Sequence, residues 1–272
     1  GSKVLEVLTP EQKSDFMHFE GNAMGFHILT YSNPKKTNAT GGLGLTYPTL
    51  AAFSKYPRPA QIYNQKNVVS EKKFGLFQCD VGSFSEIAQE LGIPLKEEGG
   101  RWYRHPLAFL TEAADDICYG IMDLEDGYKH GMVEYKQAYD LLMEICNAPS
   151  GETKIDDLKN IINEREKIGY LRAKAITSLI HQVAGIFLAN ENDILNVKFD
   201  KRLCKLIESN TILDQIINLS QTQIYSHRPV LQVEAAGFQV LPGLLETFLI
   251  ALRENGKESS QKIMQLIPDE YK

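Results

Sequence analysis

The stretch "EAADDICYGIMDLEDGY" (residues 112–128) decides how the rest of this 272-residue chain is read. It carries six carboxylates, Glu112, Asp115, Asp116, Asp123, Glu125 and Asp126, and no Lys or Arg stands between Arg104 and Lys129. Pro106 suits the first turn of a helix, and no proline interrupts residues 107–126. At about 100° per residue, Asp115, Tyr119 and Asp123 drift only about 40° per step and form one stripe, with Glu112 one turn before Asp115 on the same side. Leu107, Phe109, Leu110, Ala113, Ala114, Ile117, Cys118, Ile121, Met122 and Leu124 fill most of the remaining circumference, which predicts a central helix rather than a peripheral one.

A solvated face is the common reading of a charge run. Such faces, however, usually alternate with Lys or Arg at four-residue spacing, each pair adding about 0.2–0.5 kcal/mol. Without basic neighbours, carboxylates that turn inward need a cation or a polar ligand, and a divalent metal is the economical candidate. Glu125 and Asp126, near the helix end, are expected to face solvent.

Working outward, residues 4–30 have helical spacing at Phe16, Phe19, Ala23, Phe26 and Leu29. "SNPKKTNATGGLGL" (32–45) reads as a loop; its glycines lack the Gly-Lys-Ser/Thr of a phosphate-binding loop, and the sequon Asn38-Ala-Thr40 is read as chance. A helix is predicted over 46–56, from a Thr46 cap to the prolines of "KYPRP", followed by an irregular stretch over 60–82 with a short strand at Phe74–Cys79. Ser83 and Glu86 suggest a capping box opening a helix to Leu91, and Gly99-Gly100 a turn. Downstream, 132–147, 155–163, 166–190, 199–220 and 240–255 have helical periodicity. No series of strands appears, so the expected fold is an all-α bundle with at most a small β-hairpin.

With 43% hydrophobic residues the chain can bury a substantial core, and its net charge of −6 gives no overall attraction to nucleic acid or acidic membranes. Apolar runs such as "LLETFLIAL" (244–252) fall short of a membrane span and no charged-then-apolar leader opens the chain, so a cytoplasmic address is the default. Cys79, Cys118, Cys146 and Cys204 are scattered, which suits reduced thiols.

Four segments in order, "FEGNAMGFHIL" (19–29), "GLGLTYPTLAAFSKYP" (42–57), "HPLAFLTEAADDICYGIMDLEDG" (105–127) and "VEAAGFQVLPGLLETF" (233–248), resemble deoxyguanosinetriphosphate triphosphohydrolase-like proteins, a branch of the HD phosphohydrolase superfamily. The resemblance implies metal-dependent hydrolysis of a deoxynucleoside triphosphate, dGTP foremost, at the α-phosphorus, releasing deoxynucleoside and triphosphate. The ion, Mg²⁺ or Mn²⁺, would be held by a His, a His-Asp pair and a later Asp that matches Asp115. By the same resemblance Tyr119 and Asp123 line the sugar pocket, and Asn22, Lys55 and Tyr56 belong to the substrate pocket, Lys55 as a partner for phosphate. It further implies a homo-oligomer, often a hexamer, in some members with a second nucleotide acting as effector. Residues 1–150 would be the C-terminal part of the HD-type catalytic core, and 151–272 a helical region packed on it.

The pattern also departs from the family. None of the six histidines, His18, His27, His105, His130, His181 and His227, precedes an Asp. The other ligands are therefore expected upstream, and the chain alone, with no catalytic residue beyond one ligand, is expected to be inactive. His18, His27 and His181 read as core or surface residues rather than replacement ligands. Simpler roles stand beside the others: a helix-terminus residue for Asn22, a dipole partner for Lys55, an ion-pair or surface residue for Arg172, and a buried structural carboxylate for Glu234. Two alternatives remain, a noncatalytic nucleotide-binding regulatory subunit and an HD phosphohydrolase acting on another nucleotide.

Overall fold

The computed structural model describes residues 7–31, 42–60, 70, 72–97, 100–151, 155–254 and 256–268. Among them run α1 (Pro10–Met17), α2 (Gly21–Thr30), α3 (Tyr47–Phe53), α4 (Val81–Glu90), the strands β1 (Leu95–Glu97) and β2 (Arg101–Trp102), and α5 (Pro106–Lys129). There follow α6 (Tyr135–Cys146), α7 (Glu164–Ala189), α8 (Glu191–Leu195), α9 (Asn210–Leu219), α10 (Arg228–Arg253) and α11 (Glu258–Gln265). This is an all-α bundle whose one described sheet is an antiparallel hairpin turned at Gly100, where φ is +91°.

The acidic stretch is the central helix its pattern predicts. The His105 side chain accepts the Leu107 N–H at 3.2 Å, Pro106 occupies the first turn, and the helix stops at His130 before Gly131, whose φ is +71°. Phe109, Ala113, Ile117, Ile121 and Leu124 of α5 enter the main core with Leu142 and Ile145 of α6, Ile168, Leu171, Ala175 and Leu179 of α7, and Leu213 and Ile216 of α9. Burying one such Leu or Ile stabilises by about 1.5–3 kcal/mol, so this seam anchors α5. Gly127 permits the closest approach: a Cβ there would lie 2.5 Å from Ile224 Cδ1, in the π-helical turn Ser220–Ile224 that follows α9.

A second cluster holds the N-terminal helices beside α5. Phe26 of α2, Leu50 and Ala51 of α3, and Phe84, Ile87 and Ala88 of α4 pack with Leu76 and Trp102. Phe84 lies 5.1 Å from the Trp102 ring and 5.7 Å from Phe26, centroid to centroid. Helix α3 packs directly on α5, which brings the residue pair after its end, Lys55-Tyr56, to the acidic helix.

Several local expectations give way to tertiary structure. The helical signal over 4–30 is two helices broken at His18–Glu20, α1 starting from a Thr9–Gln12 capping box. The expected Ser83 box does not form: α4 already begins at Val81, and the Glu86 carboxylate instead accepts the Tyr47 hydroxyl at 2.5 Å. Thr46 occupies the N-cap of α3 without a capping hydrogen bond. Phe74–Cys79 is no strand but a single bridge between Pro59 and Leu76 followed by a 3₁₀ turn over Gln78–Asp80. Within 155–163 only the 3₁₀ turn Asp156–Asn160 forms, and in 199–220 a 3₁₀ turn over Leu203–Lys205 precedes the α-helix, which begins at Asn210.

The segment expected to be helical from 240 is helical from Arg228, with Pro229 in its first turn and Pro242 inside it. By length and composition alone this α10 is long and apolar enough to cross a membrane, although Glu234 and Glu246 interrupt it. The run 244–252, judged alone, understated it. Of α10 only Ala251 is buried, while Phe238, Leu241 and Leu245 are exposed. The sequon Asn38-Ala-Thr40, most of the 32–45 loop, residues 61–69 and Gly99 lie outside the described residues.

Candidate functional site

The carboxylates of α5 do have basic partners, supplied by distant segments. Lys55 Nζ donates to Asp115 Oδ2 at 2.6 Å. The lysine side chain is largely covered, 16% exposed, whereas that of Asp115 is 44% exposed, so the carboxylate remains reachable from solvent. Arg202 pairs with Asp116 through two nitrogens; burial pushes the Asp116 carboxyl up, and Arg202 pulls it back. Glu125 is buried and accepts from Arg172 at 3.2 Å and Lys129 at 3.1 Å, which corrects the expectation that it faces solvent; Asp126 is exposed. The idea that a metal must compensate this whole helix is therefore too strong. Five cations, Lys55, Arg104, Arg172, Arg202 and Lys129, none of them within the acidic run itself, compensate Glu112, Asp115, Asp116 and Glu125.

Arg104 ties the site together. Its guanidinium grips Glu112 in a buried fork, Nη1 to Oε2 at 2.9 Å and Nη2 to Oε1 at 3.3 Å. Its Nε donates to the Lys55 carbonyl at 2.7 Å, and the guanidinium carbon lies 5.6 Å from the Tyr56 ring centroid and 5.3 Å from that of Phe109. One side chain thus fixes the backbone at Lys55, the ring of Tyr56 and the first turns of α5. Burial, then the charge of Glu112, raises the Tyr56 phenol, so it stays a neutral donor. Ala23, in the first turn of α2, packs with Ala60 and Phe74 close to this segment. There Asn22 Nδ2 donates to Glu20 Oε1 at 2.7 Å, and Lys73 approaches the same oxygen at 3.5 Å. Asn22 is thus a first-turn residue of α2 engaged with its capping glutamate.

Tyr119 follows Asp115 on the stripe and is 65% exposed, flanked by the exposed Cys118 and Met122. Asp123 accepts the Tyr225 hydroxyl, and burial together with that bond pushes the phenol up to about 12. A carboxylate that accepts one phenol keeps capacity for another hydroxyl. Tyr225 also lines an open cleft of about 800 Å³ with His130, His227, Val233 and Glu234. Glu234 is exposed there, not the buried structural carboxylate its apolar neighbours suggest.

The structure therefore joins Lys55, Tyr56 and Asp115 through Arg104, continues along α5 to Tyr119 and Asp123, and keeps Asn22 in the adjoining Glu20 network. Arg104, Arg202 and Tyr225 were missed, since only Arg104, just before the helix, had any local signal. As a metal ligand Asp115 offers one accessible hard oxygen donor. It fits as one member of a set of hard donors around a divalent ion.

Comparison with known proteins bears on this arrangement. No family model matches the chain. It is 38% identical over 271 residues to a deoxyguanosinetriphosphate triphosphohydrolase-like protein of Synechocystis sp., a match covering 97% of this chain and 60% of the relative. A protein of the same name in Listeria monocytogenes is 31% identical over 285 residues, covering 98% and 59%. The deoxyguanosinetriphosphate triphosphohydrolase of Cronobacter sakazakii is 27% identical over 277 residues, covering 93% of this chain and 51% of the relative. The chain thus spans between half and three-fifths of the length of these curated relatives.

Proposed function

For a chain that belongs to the deoxyguanosinetriphosphate triphosphohydrolase-like family, we propose that the polypeptide containing it hydrolyses deoxynucleoside triphosphates, dGTP foremost, to deoxynucleoside and triphosphate. The observation that carries this reading is the Lys55–Asp115 contact at 2.6 Å on the accessible stripe of α5, a cation and a hard carboxylate side by side. Asp115 would contribute one ligand to a Mg²⁺ or Mn²⁺ ion completed by His and Asp residues outside this chain. Such an ion supplies Lewis-acid polarisation of a phosphoryl oxygen and a more acidic bound water. Lys55, once released from Asp115, reaches a phosphate oxygen as a point charge. Tyr56, clamped under Arg104, holds its neutral phenol as a donor at the same edge. Tyr119 presents a ring to the sugar at C2′, where a ribose hydroxyl would clash, and Asp123 accepts from the 3′-hydroxyl while Tyr225 orients it. Asn22 completes the pocket from α2 through Glu20.

The exposed apolar positions of α10, among them Phe238, Leu241 and Leu245, support burial of that helix against further protein in a homo-oligomer. Glu234, Glu246 and Pro242 favour this over a lipid-facing role. The test is release of triphosphate from the four deoxynucleoside triphosphates and their ribonucleotide counterparts by the native full-length polypeptide. Turnover confined to the deoxy series is expected. Tight binding without turnover would instead establish the regulatory subunit, and activity only on other nucleotides a different HD phosphohydrolase.

A further inference from the structure

A cluster outside the stripe carries a separate inference, and it does not depend on the catalytic reading. We propose that His27, Cys79 and Asp80 form a binding site for a thiophilic divalent transition metal, zinc foremost. His27 Nδ1 lies 2.9 Å from Asp80 Oδ1 and 3.2 Å from Oδ2, and Cys79 Sγ lies 3.9 Å from the same nitrogen. All three donor atoms fall within 4.8 Å of one another. Around a tetrahedral zinc, with Zn–S near 2.3 Å and Zn–N and Zn–O near 2.05 Å, ligand atoms sit about 3.5 Å apart for N and S and about 3.3 Å for N and O. The thiol therefore needs to close on His27, and the His–Asp bond to open, by about 0.4 Å each, while the Cys79–Asp80 pair, within 4.8 Å, closes by at most about 1.3 Å. Side-chain torsions alone absorb shifts of that size.

The ligands come from two packed elements. His27 projects from α2 between the rings of Tyr31 at 5.3 Å and Phe77 at 6.2 Å, while Cys79 and Asp80 sit on the 3₁₀ turn leading into α4. That turn is fixed from α1, because the Gln78 N–H donates to Asp15 Oδ2 at 2.8 Å. The second oxygen of Asp15 is buried and has no hydrogen-bond partner among the described residues. Burial and the charge of Asp80 hold the Asp15 carboxyl above the usual carboxylate range, and burial followed by Asp80 and Asp15 likewise raises the Cys79 thiol. The Asp80 carboxyl and the Cys79 thiol thus crowd one imidazole, with Asp15 Oδ1 left unsatisfied on the neighbouring helix α1. A dication would compensate this excess and convert Cys79 to thiolate with release of its proton. The sulfur ligand disfavours Mg²⁺, and three protein donors leave a fourth position for water.

The experiment titrates the metal-stripped native polypeptide with Co²⁺, whose thiolate charge-transfer absorption reports sulfur ligation and is blind to any site built from His and Asp alone. The band should saturate at one equivalent per chain, vanish on adding Zn²⁺, disappear in Cys79→Ser, persist in Cys118→Ser, and require more than tenfold higher Co²⁺ in His27→Gln. No band, or a band that survives Cys79→Ser, overturns the site. Should Cys79→Ser not fold, the wild-type protein decides. Zn²⁺ should slow alkylation of Cys79 at least tenfold, and an unchanged rate at saturating Zn²⁺ refutes the proposal.

Discussion

Replacing Arg104 with methionine leaves the buried carboxylate of Glu112 without its fork. The side chains of Arg104 and Glu112 are 2% and 7% exposed, so solvent cannot take over the lost bonds. Removing one partner of such a pair costs about 3–5 kcal/mol, because the other charge stays buried and unpaired. The substitution also removes the donor to the Lys55 carbonyl, while methionine keeps part of the contact with Tyr56 and Phe109. The expected destabilisation is therefore about 3–5 kcal/mol, or a drop of roughly 6–20 °C in melting temperature at about 2–4 °C per kcal/mol. Urea unfolding of the native polypeptide measures it. The double variant Arg104→Met with Glu112→Leu should recover most of the loss, since neither charge then needs a partner. A single-variant loss below about 1 kcal/mol, or a double variant no more stable than the single one, would refute the claim that this fork organises the site.

Other consequences follow from the same geometry. Lys55→Ala should raise KM for a deoxynucleoside triphosphate about 10- to 100-fold, the equivalent of one charge-assisted contact, and an unchanged KM would remove Lys55 from the phosphate site. A Cβ on Gly75 would lie 2.5 Å from the Tyr56 carbonyl oxygen, a backbone atom that cannot rotate away, so Gly75→Ala should cost about 1–3 kcal/mol of stability and weaken nucleotide binding. Because the Tyr225 phenol is raised, it stays protonated through pH 10 and ionises near pH 12. Ultraviolet titration should therefore show a late phenolate transition that Tyr225→Phe removes, whereas loss of an ordinary transition near pH 10 would contradict the Asp123 bond.

What could be read from the sequence was what depends on neighbours three or four residues away. The helix over 106–129, its inward apolar face and the common side of Asp115, Tyr119 and Asp123 follow from periodicity and Pro106. The turn at Gly100 follows from its glycine, whereas the two short strands it joins had no signal of their own. What escaped was set by distant contacts. Lys55 reaches Asp115 across 60 positions and Arg202 reaches Asp116 across 86, so no local window shows that the acidic helix is compensated. Ser83 fails as a cap because the Gln78–Asp80 turn already starts α4 two residues earlier. Pro242 hid the true start of α10, since a proline within a helix usually marks an end. His27 read as an ordinary core or surface residue because its partners lie 52 and 53 positions away.

The most direct measurement is Mn²⁺- or Mg²⁺-dependent triphosphate release by the native full-length polypeptide beside its Asp115→Ala variant, with binding of a non-hydrolysable deoxynucleotide followed in both. If Asp115 is a ligand of the catalytic ion, turnover falls by at least about 10³-fold in the variant, a barrier increase of about 4 kcal/mol, while the fold is retained because Asp115 is half exposed. Turnover within a few-fold of the native protein at the same metal concentration would contradict that assignment and reduce Asp115 to an ion-pair partner of Lys55.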